Sequence, residues 1–485
     1  MPVNSFSNYH LTWSPKLAKK DAPIYLTLAS LLETDILTGR LPRGVRLPPQ
    51  RELADYLDVD FTTVTRAYNV CKEKNLIYGI TGRGTFVSPA PLEATPLSSA
   101  GKNRLIDFST VAGFRTVSNG ISEAIKKVAS SGHLDNLFSY SNPLGSPHQL
   151  AAGRHLLATN MIEAPFENIA IFAGAQNALA VSLFSMFSPG DAIATDPYTY
   201  PNLIGSARIA HIKLVPVEGD GNGMKPDVLE RQVAKYRIKG LFIMPNAANP
   251  TGITITEERR EALAAIAKKR SLIVIEDDIS PFAPSEKRRS FFSRLPDSTI
   301  YIAAYTAFFA PGLRITYAAF PGSFRNRLVK GLSLLNIKAG SLDAEVISEL
   351  VLSGAAREIM DSKRKIAKEA NAIFDRIFRD HSLGKEATRN RLYPFFRTIS
   401  LPGSTLSGPK IEEFFLSRGM NVMHSYRFAV GKAVQHDFIR ISISSLQSMK
   451  QLEAGLNKLS AALSEFKMNL RYSASARQNT AVRYR

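Results

Sequence analysis

At 485 residues the chain exceeds one ordinary core, and about 100–200 residues per domain points to two to four domains. With 45% hydrophobic and 21% charged residues it has a globular composition, which excludes an intrinsically disordered chain. The formal net charge of +19 favours a polyanionic partner, nucleic acid before anionic membrane, although a generally basic surface explains the same number.

Residues 1–20 form an N-terminal arm without the basic region and apolar core of a secretory signal. From Asp21 to Val87 the pattern predicts a compact, mainly helical domain. Pro23 lies near a helix start, Ile24, Leu28, Leu31, Leu32 and Ile36 recur at helical spacing, and Gly39 stops the helix. A Pro/Gly-rich turn, Leu41 to Pro49, leads into a second short helix with Arg51, Leu53, Ala54 and Leu57. Asp60 then caps a third helix whose Val64, Ala67, Tyr68 and Cys71 share one face. As the lone cysteine, Cys71 excludes an intramolecular disulfide and fits a reducing, cytoplasmic setting. Two apolar runs, Leu76 to Ile80 and Thr85 to Val87, flank Thr81-Gly82-Arg83-Gly84 and predict a hairpin with a basic tip.

A DNA major groove admits one helix, so a reading module needs short polar side chains near that helix's start and cations for phosphates. Thr62, Thr63 and Thr65 meet the first requirement and Arg66 the second, while Arg83 at the hairpin tip suits a minor groove. The alternative is that the threonines only satisfy helix-end amides. Ile24 to Val87 resembles the winged helix-turn-helix of the GntR family of regulators, through GRLPRGVRLPPQRELADYL, TTVTRAY and GRGTFV. The resemblance implies contacts from Arg51, Thr62, Thr63, Thr65, Arg66, Arg83 and Gly84 to operator DNA. Phe61 departs from the polar residue often found at the head of the reading helix.

Residues 88–104 are rich in Ser, Pro and Ala without an apolar period and read as a linker. Beyond them, apolar runs such as Ile169 to Phe172, Leu241 to Met244 and Leu272 to Ile275 alternate with helical segments. That is the pattern of a mainly parallel α/β sheet covered on both faces. The longest uncharged apolar stretch, Ile169 to Phe187, is interrupted by polar residues and reads as a buried strand and helix, not a membrane span. Ala173-Gly174-Ala175-Gln176 sits at a strand-to-helix junction where amides can meet a phosphate. Asp277 and Asp278 end a strand where parallel sheets place ligands, though a solvated loop explains them equally. Arg314 and Arg440 each carry a fork suited to an anion. Residues 467–485 read as a disordered basic tail, and no metal site is assigned.

In that order and spacing, residues 105–466 resemble the fold-type I aminotransferase domain of the MocR subfamily, in which it follows a GntR-type reader. The resemblance implies a large part at about 130–330, a smaller α+β part at about 331–466, and a homodimer. It implies that Gly174, Ala175, Gln176 and Arg314 hold the phosphate of pyridoxal phosphate, with Tyr140 reaching in from a partner subunit. Tyr200 would stack on the ring, Asn249 would bond the ring oxygen, Asp277 would bond the ring nitrogen, and Arg440 would take an effector or substrate carboxylate.

Enzymes of this fold tether the cofactor to a lysine ahead of Pro-Gly-Leu-Arg. Here the segment reads Ala304-Tyr-Thr-Ala-Phe-Phe-Ala-Pro-Gly-Leu-Arg314, with Ala307 at the lysine position. A methyl group neither forms a Schiff base nor moves a proton, so a non-covalent, catalytically inactive sensor domain is expected. Ala304 and Ile279-Ser280 depart from the family pattern as well. The alternatives are an active aminotransferase using another lysine, and a dimerising scaffold with an empty pocket.

Overall fold

The computed structural model describes all residues except 1–10, 18–22, 43, 74–75, 81, 89–104, 112–118, 280–288, 305–307, 309, 380–393, 402–403, 405, 432–435, 447 and 483–485. The chain divides into two compact units, Met1–Leu105 and Ile106–Arg485. Nearly all of the linker assigned to 88–104 lies outside the described residues.

In the first unit, helices α1 (Ile24–Leu37), α2 (Gln50–Leu57) and α3 (Phe61–Glu73) precede an antiparallel hairpin of β1 (Ile77–Ile80) and β2 (Gly84–Val87). Val64, Ala67, Tyr68 and Cys71 on α3 are wholly buried against Leu28, Leu32 and Leu53, as their spacing requires. Ile24, placed by its spacing on the same stripe of α1 as Leu28, is instead half exposed. The segment around Arg46 bridges the hairpin antiparallel to Phe86, with Leu47 N–H donating to Thr85 O at 2.8 Å and Val87 N–H to Val45 O at 2.9 Å. Trp13 is buried in this core and donates from Nε1 to Asp35 Oδ2 at 2.9 Å, so part of the expected arm packs with the reader.

The second unit is built on a seven-stranded sheet. Its order is Ile169–Phe172, Thr316–Ala319, Thr299–Ile302, Ile273–Asp277, Gly240–Ile243, Ala192–Thr195 and Lys213–Pro216. Neighbours run parallel except around Thr316–Ala319, which is antiparallel to both of its neighbours. Alternate residues enter different cores: Phe242, Ile275 and Ile300 join one with the helix Ala175–Met186, while Leu241, Ile243 and Val274 join another. Both faces are therefore covered, which explains strands that read as unbroken apolar runs. The helix Glu257–Lys269 starts where Thr256 Oγ1 accepts from Arg259 N–H at 3.4 Å, with Glu257 and Glu258 at its positive end.

A second, antiparallel sheet joins Phe396–Ser400, Phe438–Ser442 and Met423–His424, and packs with the helices Ala355–Ile377 and Met449–Val482. The backbone of that last helix continues to Val482, and no Gly or Pro interrupts the sequence after Phe466. Among the described residues, no helix is long and apolar enough to cross a membrane.

Candidate functional site

On the first unit, α3 begins with Phe61 43% exposed, and the Arg51 guanidinium lies 5.8 Å from the centre of its ring. Asp60 Oδ1 accepts from the N–H of Thr62 at 2.7 Å and from its hydroxyl at 2.5 Å, which fixes the helix start and lowers the Asp60 carboxyl. Thr65 is not a free polar point: its hydroxyl donates to Gln50 Oε1 at 2.8 Å, tying α3 to α2. Thr63 is half-buried, whereas Arg51, Thr62, Arg66, Arg83 and Gly84 are exposed. Arg66 lies 4.1 Å over the Tyr25 ring. Gly84 has φ 113°, and a Cβ there would sit 2.8 Å from Arg46 Nε. Arg46 thus joins the groove with Gln50, Arg51 and Phe61, a role sequence spacing missed because Arg46 lies outside any periodic helix.

On the second unit, the strand ending at Phe172 turns through Gly174 (φ 85°, ψ 165°) into the helix Ala175–Met186, whose first turn no side chain caps. A Cβ on Gly174 would lie 2.7 Å from Arg314 Nη2, so the guanidinium rests against the backbone at the helix start. Arg314 itself is held at φ 52° after the turn Pro311–Leu313. The Asn202 amide bridges Gln176 Oε1 at 3.1 Å and the Tyr200 hydroxyl at 2.7 Å, a connection with no sequence signal. Burial and the Asp277 carboxylate push the Tyr200 phenol up, while the Asn202 hydrogen bond and the charges of Arg314 and Arg440 pull it down.

The two adjacent carboxylates part company. Asp278 accepts from the Tyr301 hydroxyl at 2.7 Å and from Asn246 Nδ2 at 3.2 Å. Asp277, equally buried, has an Oδ1 with no hydrogen-bond partner among the described residues, and burial, helped by Asp278, pushes its carboxyl up to about 7. Arg440, on the central strand of the smaller sheet, donates to Asn249 Oδ1 at 3.2 Å, to the Ser109 carbonyl and to Met423 Sδ at 2.9 Å. Its buried Nε has no partner among the described residues, and burial lowers the guanidinium to about 10. Arg314 thus lies against Gly174 at the start of the helix Ala175–Met186, Asn202 links Gln176 to Tyr200, and Arg440 bonds Asn249, while Tyr140 is 87% exposed. Ala307 and Ser280 lie outside the described residues. Next in chain to Ala307, the carbonyl of Phe308 accepts from the buried Lys363 amine, which burial lowers to about 8.

Residues 24–87 match the bacterial regulatory proteins of the gntR family, and residues 113–459 match aminotransferase class I and II. The chain is 34% identical to the uncharacterized HTH-type transcriptional regulator YdeF of Bacillus subtilis, over 94% of this chain and 98% of that one. It is 23% identical to the probable rhizopine catabolism regulatory protein MocR of Rhizobium meliloti, over 74% and 78% of the respective chains. Among solved structures it resembles the α-aminoadipate aminotransferase LysN of Thermus thermophilus, complexed with N-(5'-phosphopyridoxyl)-L-leucine. The TM-score is 0.68 at 20% identity, over 77% of this chain and 95% of that one.

Proposed function

The chain belongs to the MocR subfamily of GntR-family transcriptional regulators, and we propose that its aminotransferase-like domain is a catalytically inactive sensor that holds pyridoxal phosphate without a covalent bond. The observation that carries this reading is that Asp277 Oδ1 has no hydrogen-bond partner among the described residues. A buried carboxylate oxygen without a donor costs free energy, and a scaffold with an empty pocket gains nothing by keeping it. A protonated ring nitrogen is the donor it lacks.

The other residues fit the same group. The uncapped helix start at Ala175 and the Arg314 fork suit a phosphate, and Tyr200 offers a ring face. When bound, the cofactor supplies an electron sink, yet Ala307 brings no amine to use it. Arg440, whose Nε has no partner among the described residues, suits the carboxylate of an amino-acid-like effector. Exposed Phe138 and Tyr140 are consistent with a homodimer in which Tyr140 reaches the partner's phosphate site. Paired readers would then contact repeated operator half-sites through Arg51, Thr62, Thr63, Thr65, Arg66, Arg83 and Gly84. The reader and the basic composition suit a cytoplasmic protein working on DNA.

Titration of the full chain with pyridoxal phosphate should give saturable heat and a raised Tm, and borohydride treatment should leave its mass unchanged. Footprinting on its own upstream DNA at low salt should show protection. A cofactor mass fixed by borohydride would refute the non-covalent reading. A second reading, an active aminotransferase, is favoured by one feature: the buried Lys363 amine beside Phe308. Mapping a fixed cofactor to Lys363 would establish it.

A further inference from the structure

The strand Ala192–Thr195 runs into Asp196-Pro197-Tyr198, and these residues line a cavity of about 610 Å³. None of the residues assigned to the cofactor pocket lines it. Its size lies within the range of small-molecule sites. Met244, Ile253, Ile255 and Phe438 give it a largely apolar wall. Tyr198 braces one side: its hydroxyl accepts from His436 N–H at 2.8 Å and donates to His436 O at 3.3 Å, and its ring meets Phe438 edge-on at 5.0 Å.

Three carboxylates border this space, and they differ. Asp220 is paired with Arg259 at 3.2 Å, and Glu218 is exposed. Asp196 lines the cavity, is partly buried, and its carboxylate makes no hydrogen bond or ion pair among the described residues, while burial pushes its carboxyl up to about 7. An apolar cavity with one uncommitted carboxylate matches a ligand that is apolar along its body and cationic at one end.

We propose that this cavity is a second ligand site, which takes a small apolar amine in its protonated form and anchors it on Asp196. The cation supplies the donor that Asp196 lacks, and the hydrocarbon body displaces water from the Met244–Ile255 wall.

Phenethylamine is a suitable probe, measured by calorimetry on the full chain. It should bind saturably, one per chain, while phenylacetate, with the same ring and the opposite charge, should not. Asp196→Asn should weaken phenethylamine about tenfold or more. Ile253→Trp, which fills the cavity and leaves Asp196 in place, should block it. Absence of saturable heat, equal binding of phenylacetate, full affinity in Asp196→Asn, or unimpaired binding in Ile253→Trp would each overturn the proposal.

Discussion

Asp277 and Asp278 show how much one step along a strand changes a side chain's chemistry. Successive residues point to opposite faces, so Asp278 meets Tyr301 and Asn246 while Asp277 is left with an open oxygen. The Asp277 carboxyl is raised from about 3.8 to about 7, so the folded protein keeps its proton where the unfolded chain has released it. The sign follows: stability is unaffected below about pH 4, falls as pH rises toward 7, and carries the full penalty above it. That penalty is on the order of 4 kcal/mol by the free-energy equivalent of a pKa change. Asp277→Asn should therefore raise the Tm of the cofactor-free protein at pH 8, with the gain shrinking toward pH 4. The same variant should lose most of the Tm increase produced by pyridoxal phosphate. Thermal melts at three pH values, with and without the cofactor, check both outcomes.

At the scale of the element, the helix Ala175–Met186 depends on what precedes it. Gly174 occupies a φ, ψ region that side chains avoid, and Arg314 fills the space a Cβ would take. Gly174→Ala should cost about 1–3 kcal/mol of stability and displace the guanidinium from the helix start. Affinity for pyridoxal phosphate should fall about tenfold or more, read by calorimetric titration against the wild type. The reading helix α3 makes the complementary point. Its buried stripe was legible because apolar side chains at a 3.6-residue period have one way to reach a core. The bond from Thr65 to Gln50 was not legible, since it depends on how α2 and α3 cross.

At the scale of the whole molecule, two units with separate cores are expected to unfold in separate steps. Calorimetry of the full chain should show two transitions. Pyridoxal phosphate should shift only that of residues 106–482, and operator DNA should shift that of the reader. A single transition moved equally by both ligands would contradict this assignment. The charge distribution adds to the picture: the first 90 residues hold 11 Lys and Arg against 8 Asp and Glu, so most of the +19 lies in the larger unit.

The order of motifs along the chain by itself determined the family, the two-part organisation and the absence of lysine at position 307, because these depend only on which residues occur and how far apart. Tertiary structure alone decided which carboxylate is left without a donor, that Asn202 links Gln176 to Tyr200, and that Lys363 meets the Phe308 carbonyl. Trp13 in the reader's core and the cavity at Asp196 belong with them. Each depends on distances between segments far apart in sequence, and those are set by packing, which no local pattern encodes.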